Sequence, residues 1–262
     1  MARSTFYYGQ KSLQKQDKYQ LVKQQIVGIH HANKARYGYR RITCALHESG
    51  IMINHKTVSK LMAELEIKCM VRRKKHTYRK GEVGKVSPDL LQRKFSEKRP
   101  LCKLVTDVTE FSVLGQKIYL SPVMDLYNRE IVSYSISRHP NLEMVNRMLD
   151  ELFAKLTGGQ EVLLHSDQGA LYQSYAYQSR LRQKGIKQSM SRRGNCLDNA
   201  VIENFFGTVK TELFYLKKFT SVKQFIMELN RYMRYYNQKR IKISLEGLSP
   251  EKYRKKYTNI SY

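Results

Sequence analysis

The sequence contains no tryptophan, only four cysteines and five prolines, and less than half as many acidic as basic side chains. The cysteines, at Cys44, Cys69, Cys102 and Cys196, are widely spread and form no C-x-x-C pair. A structural zinc site and disulfide bonds are therefore not expected. No apolar run approaches the roughly 20 residues that a bilayer-spanning helix needs, and no signal peptide is recognisable. These absences exclude a disulfide-stapled domain and predict a cytoplasmic protein.

The charge is strongly positive. In 262 residues, 48 Lys and Arg oppose 22 Asp and Glu, a formal net charge of +26, with +16 in residues 1–100 and +10 in the remainder. Self-repulsion of this size is commonly offset by phosphate backbones. Many ribosomal and chromatin proteins are equally basic but poor in apolar residues, whereas this chain is 41% hydrophobic with 19 Tyr and 9 Phe. The composition predicts a packed nucleic-acid-binding protein of about two domains.

Three helices are predicted in the first 70 residues. The first covers 18–33, the second lies within 37–50 and ends near Gly50, and the third begins after a cap at Asn54. The side chains expected to face inward are Leu21, Gln25, Ile26, Ile29, Ile42, Ala45, Leu46, Val58, Leu61, Met62 and Leu65.

The third helix has a basic outer face, formed by Lys56, Ser59 and Lys60. Two short helices joined by a turn, the second of them basic outside, are typical of a helix-turn-helix. A plain helical hairpin would have the same pattern, but the charge of the chain favours DNA contact. Arg40 and Arg41, at the start of the second helix, are further candidates for contact with DNA. The basic run that follows is either a solvated linker or a segment that tracks phosphates.

From residue 103 onward, three strands are followed by alternating helices and strands. Strands are predicted at 103–111, 116–125, 130–137, 161–167 and 186–190, and helices at 142–156, about 172–184 and from Asp198 or Asn199 onward. Sequential strands predict an antiparallel meander, and strands separated by helices predict parallel additions. The fold class is therefore α/β, with a mixed five-stranded sheet, flanking helices and a small all-α domain before it.

Three carboxylates occupy unusual positions in this pattern. Asp107 is placed within a strand, where Asp is disfavoured, and Asp167 ends a strand, where open α/β sheets place their sites. Glu203 lies at the rim of an apolar helical stripe. If clustered, the three would repel each other unless divalent cations neutralised them, and carboxylate oxygens suit magnesium. Taken singly, however, each Asp could be a turn or cap residue, and the Glu could be solvated.

Other polar residues near these carboxylates are weaker candidates. On the Glu203 helix, Gly207 would leave room for a DNA backbone and Lys210 would hold a phosphate, while Asn199 would position the helix or contact DNA. His165 is two residues before Asp167, so it either orders water or DNA or is a satisfied core histidine. The nearby acids Asp125 and Glu212 are expected to be structural.

Several motifs together resemble one family. The segments TDVTEF, HSDQGALY and SRRGNCLDNAVIENFFGTVKTE are similar to the retroviral-integrase-like DDE transposases of bacterial insertion sequences, in particular the product of their second reading frame. In this family 35 residues separate the last two acids, as they separate Asp167 and Glu203, and a basic residue follows at the position of Lys210. The segment at 235–254 and YGYRRIT with its following helix also match, so the resemblance covers about 35–257.

This resemblance implies an RNase H-like catalytic core at 101–218. A helix-turn-helix domain at 1–70, a basic linker at 71–100 and a helical extension at 219–262 would complete the chain. It also implies that Asp107, Asp167 and Glu203 bind two magnesium or manganese ions. The implied reaction frees a 3′-hydroxyl at the end of the element, and that hydroxyl then attacks target DNA.

The implied partners are double-stranded DNA, both the terminal repeats of the element and its target, and further copies of the chain in a dimer or larger multimer. Relatives are often fused to or assisted by the upstream-frame protein, and a nucleoid association within the cytoplasm is expected. This chain departs from the family in one respect. Relatives commonly carry a tryptophan just before the strand that contains the first catalytic Asp, whereas here Leu104 follows Cys102 and Lys103. This difference concerns packing near Asp107.

Two alternatives belong to other functional classes. A catalytically inactive relative could act as a DNA-binding regulator, although three carboxylates beside a phosphate path would then be unexplained. A recombinase with a nucleophilic tyrosine is also conceivable for a tyrosine-rich chain, but the Arg–His–Arg setting that such a tyrosine needs is not apparent in the sequence.

Overall fold

A computed structural model describes residues 17–71, 87–93, 95–156, 159–192 and 199–258. These residues divide into two compact units, the first ending at Val71. Half of the predicted linker, residues 72–86, lies outside the described residues. Among the helices described, none has the length and apolar character that crossing a membrane requires.

The first unit consists of three helices, as predicted. They are α1 (Gln20–Ala32), α2 (Tyr39–Glu48) and α3 (His55–Glu64). Asn54 caps α3, since its side chain accepts a hydrogen bond from the backbone N–H of Lys56. The fully buried apolar side chains include Ile26, Tyr37, Ile42, Leu46 and Val58. All three helices contribute to this set, and Tyr37 adds to it from the segment between α1 and α2.

The inward face of α1 differs from the prediction. Leu21 is 76% exposed, and Gln25 is also exposed. The buried position is Ile26, with Val22 one turn before it and Ile29 about one turn after it, both half-buried. This i, i+4, i+7 stripe is the one that faces α2 and α3, so the prediction for Leu21 and Gln25 was wrong.

The second unit is built on a mixed sheet. Its strands are β1 (Lys103–Thr106), β2 (Thr109–Val113), β3 (Gln116–Asp125), β4 (Ile131–Ser137), β5 (Leu163–Ser166) and β6 (Lys187–Met190). The pairs β1–β3, β2–β3 and β3–β4 are antiparallel, whereas β1–β5 and β5–β6 are parallel. The predicted fold class, a meander followed by parallel additions, is confirmed.

The predicted strand 103–111 is divided in two, so the sheet has six segments rather than five. The register continues across the break, because Thr106 faces Val123 and Thr109 faces Leu120 on the same edge of β3. Pro122 lies opposite the break and has no N–H to give to a ladder. At the break, Asp107 leaves the strand pattern.

Helices cover both faces of the sheet. They are α4 (Leu142–Phe153), α5 (Ala170–Gln173), α6 (Tyr175–Gln183), α7 (Ala200–Val209), α8 (Val222–Gln238) and α9 (Pro250–Tyr257), with a π-helical segment at Lys210–Phe214 and a 3₁₀ turn at Ile243–Leu245. Alternate residues of β1 point to different cores: Val105 packs with α7 and α8, and Leu104 packs with α4 and α6. The helix predicted at 172–184 is divided because Ser174 starts α6 as its cap.

Both ends of the predicted core are extended by the fold. Leu91, placed in the linker by the sequence, is 1% exposed in the sheet core, and the N–H groups of Leu90 and Leu91 donate to Ser189 Oγ at 2.9 and 3.3 Å. The carboxyl-terminal extension also belongs to this core, since Phe225 and Tyr232 of α8 are buried in it. The second unit therefore includes residues that the sequence assigned to its flanks.

Candidate active site

Asp107 occupies the break between β1 and β2. Its Oδ1 accepts a hydrogen bond of 2.7 Å from the N–H of Val108. Burial raises the pKa of Asp107 well above its usual value, and the charges of Asp167 and Glu203 raise it further, while the bond from Val108 acts in the opposite direction. The side chain thus lies in a partly desolvated place with two other carboxylates close enough to act on it.

Asp167 directly follows β5, the strand parallel to β1 in which His165 is paired with Val105. Its Oδ1 accepts a bond of 2.9 Å from the N–H of Gly169. Burial raises the pKa of Asp167, and this hydrogen bond lowers it. A Cβ at position 169 would lie only 2.9 Å from the same Oδ1. The glycine therefore both holds the carboxylate and leaves the space that it occupies.

Glu203 is an exposed residue of α7. Its helix is anchored by the predicted apolar stripe, since Ile202, Phe205, Phe206 and Val209 are all buried. The side chain therefore stands at the rim of a packed helix. Because residues 193–198 lie outside the described chain, the predicted cap at Asp198 cannot be placed, and Asn199 takes the N-cap position without a side-chain cap bond.

The three predicted carboxylates lie in one electrostatic neighbourhood, because both Asp167 and Glu203 act on Asp107. No group of three or more His, Cys, Asp and Glu side chains within the described residues is arranged tightly enough to hold a metal ion as it stands. Like charges in a partly buried place repel each other, and Glu203 is exposed at the rim. The donor chemistry of carboxylate oxygens suits a hard divalent cation.

Gly207 and Lys210 continue the Glu203 side of α7. Gly207 is exposed, and a Cβ built there would meet nothing within 4 Å. Lys210 begins the π-helical segment, with its Nζ 5.6 Å from the centre of the Phe111 ring. An open glycine and an ammonium on one side of the helix are compatible with the predicted passage of a phosphate backbone.

His165 is not a surface residue, and its position matches the core-histidine alternative of its prediction. It is 0% exposed, and its Nδ1 lies 2.8 Å from Ser189 Oγ. The same oxygen accepts from the N–H groups of Leu90 and Leu91. His165 thus ties β5 to β6 beneath Asp167.

Asn199 is also buried, at 3% exposure, so it does not present its amide to DNA at the surface. Its Oδ1 and Nδ2 are buried without a hydrogen-bond partner among the described residues. That Asn199 positions the start of α7 or contacts DNA stays a prediction.

In the first unit, three of the predicted DNA contacts are exposed. Lys56 and Lys60 project from α3, and Arg40 from α2. Arg40 lies over the ring of Tyr39 at 5.7 Å. Arg41 is half-buried and lies over Tyr37 at 5.6 Å. Lys56, Lys60 and Arg40 are therefore available to a ligand, while Arg41 packs against its own unit.

One residue near the carboxylates was missed by the sequence reasoning. Tyr172 of α5 is 2% exposed, and its pKa is raised well above the usual value, first by burial and then by the charges of Asp107, Tyr177 and Asp167. It therefore forms part of the wall behind the two aspartates. The signal available was its place in HSDQGALY, five residues after Asp167.

Comparisons with known families agree with this architecture. An integrase core domain model matches residues 97–196, a second integrase core domain model matches 203–257, and an HTH-like domain model matches 16–75.

Curated relatives match over most of the chain. The InsK protein of insertion sequence IS150 in Escherichia coli (strain K12) is 52% identical, covering 96% of this chain and 89% of its own. The transposase of IS904 in Lactococcus lactis is 35% identical, covering 90% and 94%. The transposase InsF of IS3A in E. coli is 30% identical, covering 86% and 78%.

Among solved structures, the integrase catalytic core domain of HTLV-2 in complex with magnesium has a TM-score of 0.48 and 18% identity, covering 58% of this chain and 95% of that one. A likeness at this level supports no argument about function.

Proposed function

We propose that this chain, which belongs to the IS3 family of insertion-sequence transposases with an integrase core domain and an HTH-like domain, is a metal-dependent DNA strand-cleaving and strand-transferring enzyme. The observation that carries the proposal is that the parallel strands β1 and β5 end side by side, with Asp107 after one and Asp167 after the other. The charges of Asp167 and Glu203 also raise the pKa of Asp107. Three mutually repelling carboxylates beside a basic helix side have no evident purpose in a protein that only binds DNA.

The carboxylates would hold two divalent cations, magnesium or manganese. Bound cations of this kind activate an attacking hydroxyl and offset charge on the phosphate. Asp107, Asp167 and Glu203 differ in what the fold does for them. Asp107 is partly desolvated at the break between two strands. Asp167 is oriented by the hydrogen bond from Gly169, and Glu203 lies at the exposed rim of α7. Because the three carboxylates repel each other, we expect them to move closer together only when the cations bind.

The reaction proposed has two steps. Water attacks the phosphodiester at the end of the element, the bond to the 3′ oxygen breaks, and that oxygen leaves as a 3′-hydroxyl. This hydroxyl then attacks a phosphodiester of target DNA and displaces the target's own 3′ oxygen. Lys210 would hold a phosphate of the strand being cut, and Gly207 would let its backbone approach α7.

The first unit is proposed to bind the terminal repeats of the element, with α3 in the major groove. Lys56 and Lys60 are exposed on α3 and Arg40 on α2, so phosphate or base contacts are open to them. Two ends must be joined in one event, so we propose at least a dimer on DNA. The chain spans 50% of its relative from IS1353 in Shigella flexneri, and a fusion or complex with an upstream-frame product fits that relation.

The test is cleavage of a labelled end duplex by the full chain with magnesium, with manganese and with a chelator. Asp107→Asn, Asp167→Asn and Glu203→Gln should each abolish cutting and leave duplex affinity nearly unchanged. A Lys56→Gln, Lys60→Gln double variant should bind the duplex weakly and therefore cut little of it at low protein concentration. At saturating protein concentration its cleavage rate should return to that of the parent.

If the parent binds the duplex but never cuts it with either metal, the alternative of an inactive DNA-binding regulator is supported. If a triad variant cuts within a few-fold of the parent rate, that residue is not a ligand. A covalent protein–DNA adduct would instead support a recombinase with a nucleophilic tyrosine.

A further inference from the structure

A cleft of about 220 Å³ lies against α7. The α7 residues that line it recur at positions 201, 204, 205 and 208, which is one side of a helix. Glu203 and Lys210 fall on the opposite side, and the exposed Gly207 lies between the two sides. The carboxylates and the cleft therefore flank the same solvent-exposed strip of α7.

One wall of the cleft contains a guanidinium with an unused donor. Arg129 donates from Nη2 to the carbonyl of Phe95 at 2.8 Å, whereas its Nη1 is buried with no hydrogen-bond partner among the residues that the structure describes. Its backbone has a φ of 63°, a left-handed conformation that costs free energy outside glycine. A strained residue with a buried unpaired donor is unfavourable for folding alone, and such residues concentrate at functional sites.

A second cation faces the same space. Lys242 donates from Nζ to the hydroxyl of Tyr236 at 3.1 Å and lies 5.2 Å from the centre of that ring. Asn204 and Ser244 add an amide and a hydroxyl at the exposed mouth. None of the described residues that line the cleft is Asp or Glu. Asp125 acts on Arg129 from behind the lining. Two cations and neutral donors in the lining of a small cavity suit an oxyanion with several acceptor oxygens.

We propose that this cleft binds a phosphate group, and that its source is the DNA held at the carboxylates. The inference rests on the proposed function for this choice of source. An α-helix with its side chains is about 10–12 Å across, close to the roughly 12 Å width of the DNA major groove. A duplex lying over the exposed strip of α7 therefore places one backbone at Glu203 and the other at Arg129 and Lys242. The cleft would hold the strand that is not cut.

The experiment has a free-phosphate arm and a DNA arm, both with the full chain. In the first, thermal unfolding is followed in inorganic phosphate and in chloride at equal ionic strength. In the second, affinity for an end duplex is measured as a function of salt. The variants are Lys242→Gln and, as a milder change at the other cation, Arg129→Lys. Lys223→Gln is the matched control, since Lys223 lines a separate groove with Tyr134 and Arg234.

Phosphate should raise the Tm of the parent and of Lys223→Gln by several degrees more than that of either cleft variant. Lys242→Gln removes a cation and should also lower the slope of log K against log salt by about 0.9. Arg129→Lys keeps its charge, so its slope should stay at the parent value while its phosphate response falls. A Tm effect without a slope effect would assign the cleft to free phosphate. Equal Tm shifts and equal slopes in all variants would overturn the proposal.

The same measurements on Asp107→Asn separate this inference from the proposed function. That variant should not cut DNA, yet it should keep the parent's phosphate response and salt slope. If the parent itself fails to cut while phosphate still acts through Lys242, the cleft is an anion site and the proposed chemistry is wrong.

Discussion

The buried ion pair between Arg240 and Glu212 should be a major support of the helix that carries Glu203. Glu212 belongs to the π-helical segment that directly continues α7, and it is 2% exposed. Its carboxylate accepts bonds of 2.8 and 2.7 Å from Arg240 and one of 2.9 Å from the hydroxyl of Tyr232. Burial disfavours the charge on Arg240, but these contacts raise its pKa above the usual value.

Replacing Arg240 with Met leaves the Glu212 carboxylate buried with its cation removed. Breaking a buried pair in this way costs about 3–5 kcal/mol. For a unit of this size each kcal/mol corresponds to about 2–4 °C in Tm, so the second unit should lose on the order of 10 °C. Adding Glu212→Gln to Arg240→Met removes the buried charge and should recover part of the loss.

The matched control is Arg231→Met. Arg231 pairs with Glu228 at 3.0 Å, but its side chain is 57% exposed, so its loss should cost no more than about 1 kcal/mol. Urea unfolding of the four proteins, followed by a signal from the second unit, measures the differences. If Arg240→Met costs no more than Arg231→Met, or if Glu212→Gln worsens it, the account of this pair is wrong.

Three further predictions concern single side chains. Gly169→Ala should lower cleavage at least tenfold with little change in duplex affinity, because its Cβ would collide with Asp167 Oδ1; a parental rate would show that this carboxylate tolerates displacement. Gly207→Ala and Gly28→Ala replace glycines inside helices, and neither new Cβ would meet an atom within 4 Å, so each should stabilise the chain by about 1 kcal/mol. Only Gly207→Ala should weaken DNA binding by the second unit. Equal DNA behaviour of the two would mean that no backbone passes over α7. Burial raises the pKa of Asp125 from 3.8 to about 6. Its contribution to the free energy of unfolding is therefore full below pH 3.8 and is lost as pH rises to about 6, a difference of about 3 kcal/mol. Asp125→Asn should flatten this part of the stability–pH curve, and an unchanged curve would contradict the prediction.

The sequence alone determined the order and type of most elements. Hydrophobic alternation and helical spacing are local properties, so the segments at 116–125 and at 55–64 could be placed from the residues within them. The apolar stripe of α7 was predicted for the same reason, and with it the rim position of Glu203. The motifs around Asp107, Asp167 and Glu203 also determined the family resemblance, because order and interval survive in the linear chain.

Only the tertiary structure decided features that depend on partners distant in sequence. The break at Asp107 lies opposite Pro122 on another strand, and the burial of His165 results from Ser189 on β6 and the segment at 90–91. Leu21 has an apolar side chain, but none of the helices that the structure describes covers it, and it is exposed. The burial of a side chain, the pairing of charges and the shape of a cleft all depend on atoms from segments that are distant in sequence. This is why the support of Glu212 by Arg240, and the cations that face α7 from Arg129 and Lys242, became visible only when the chain was folded.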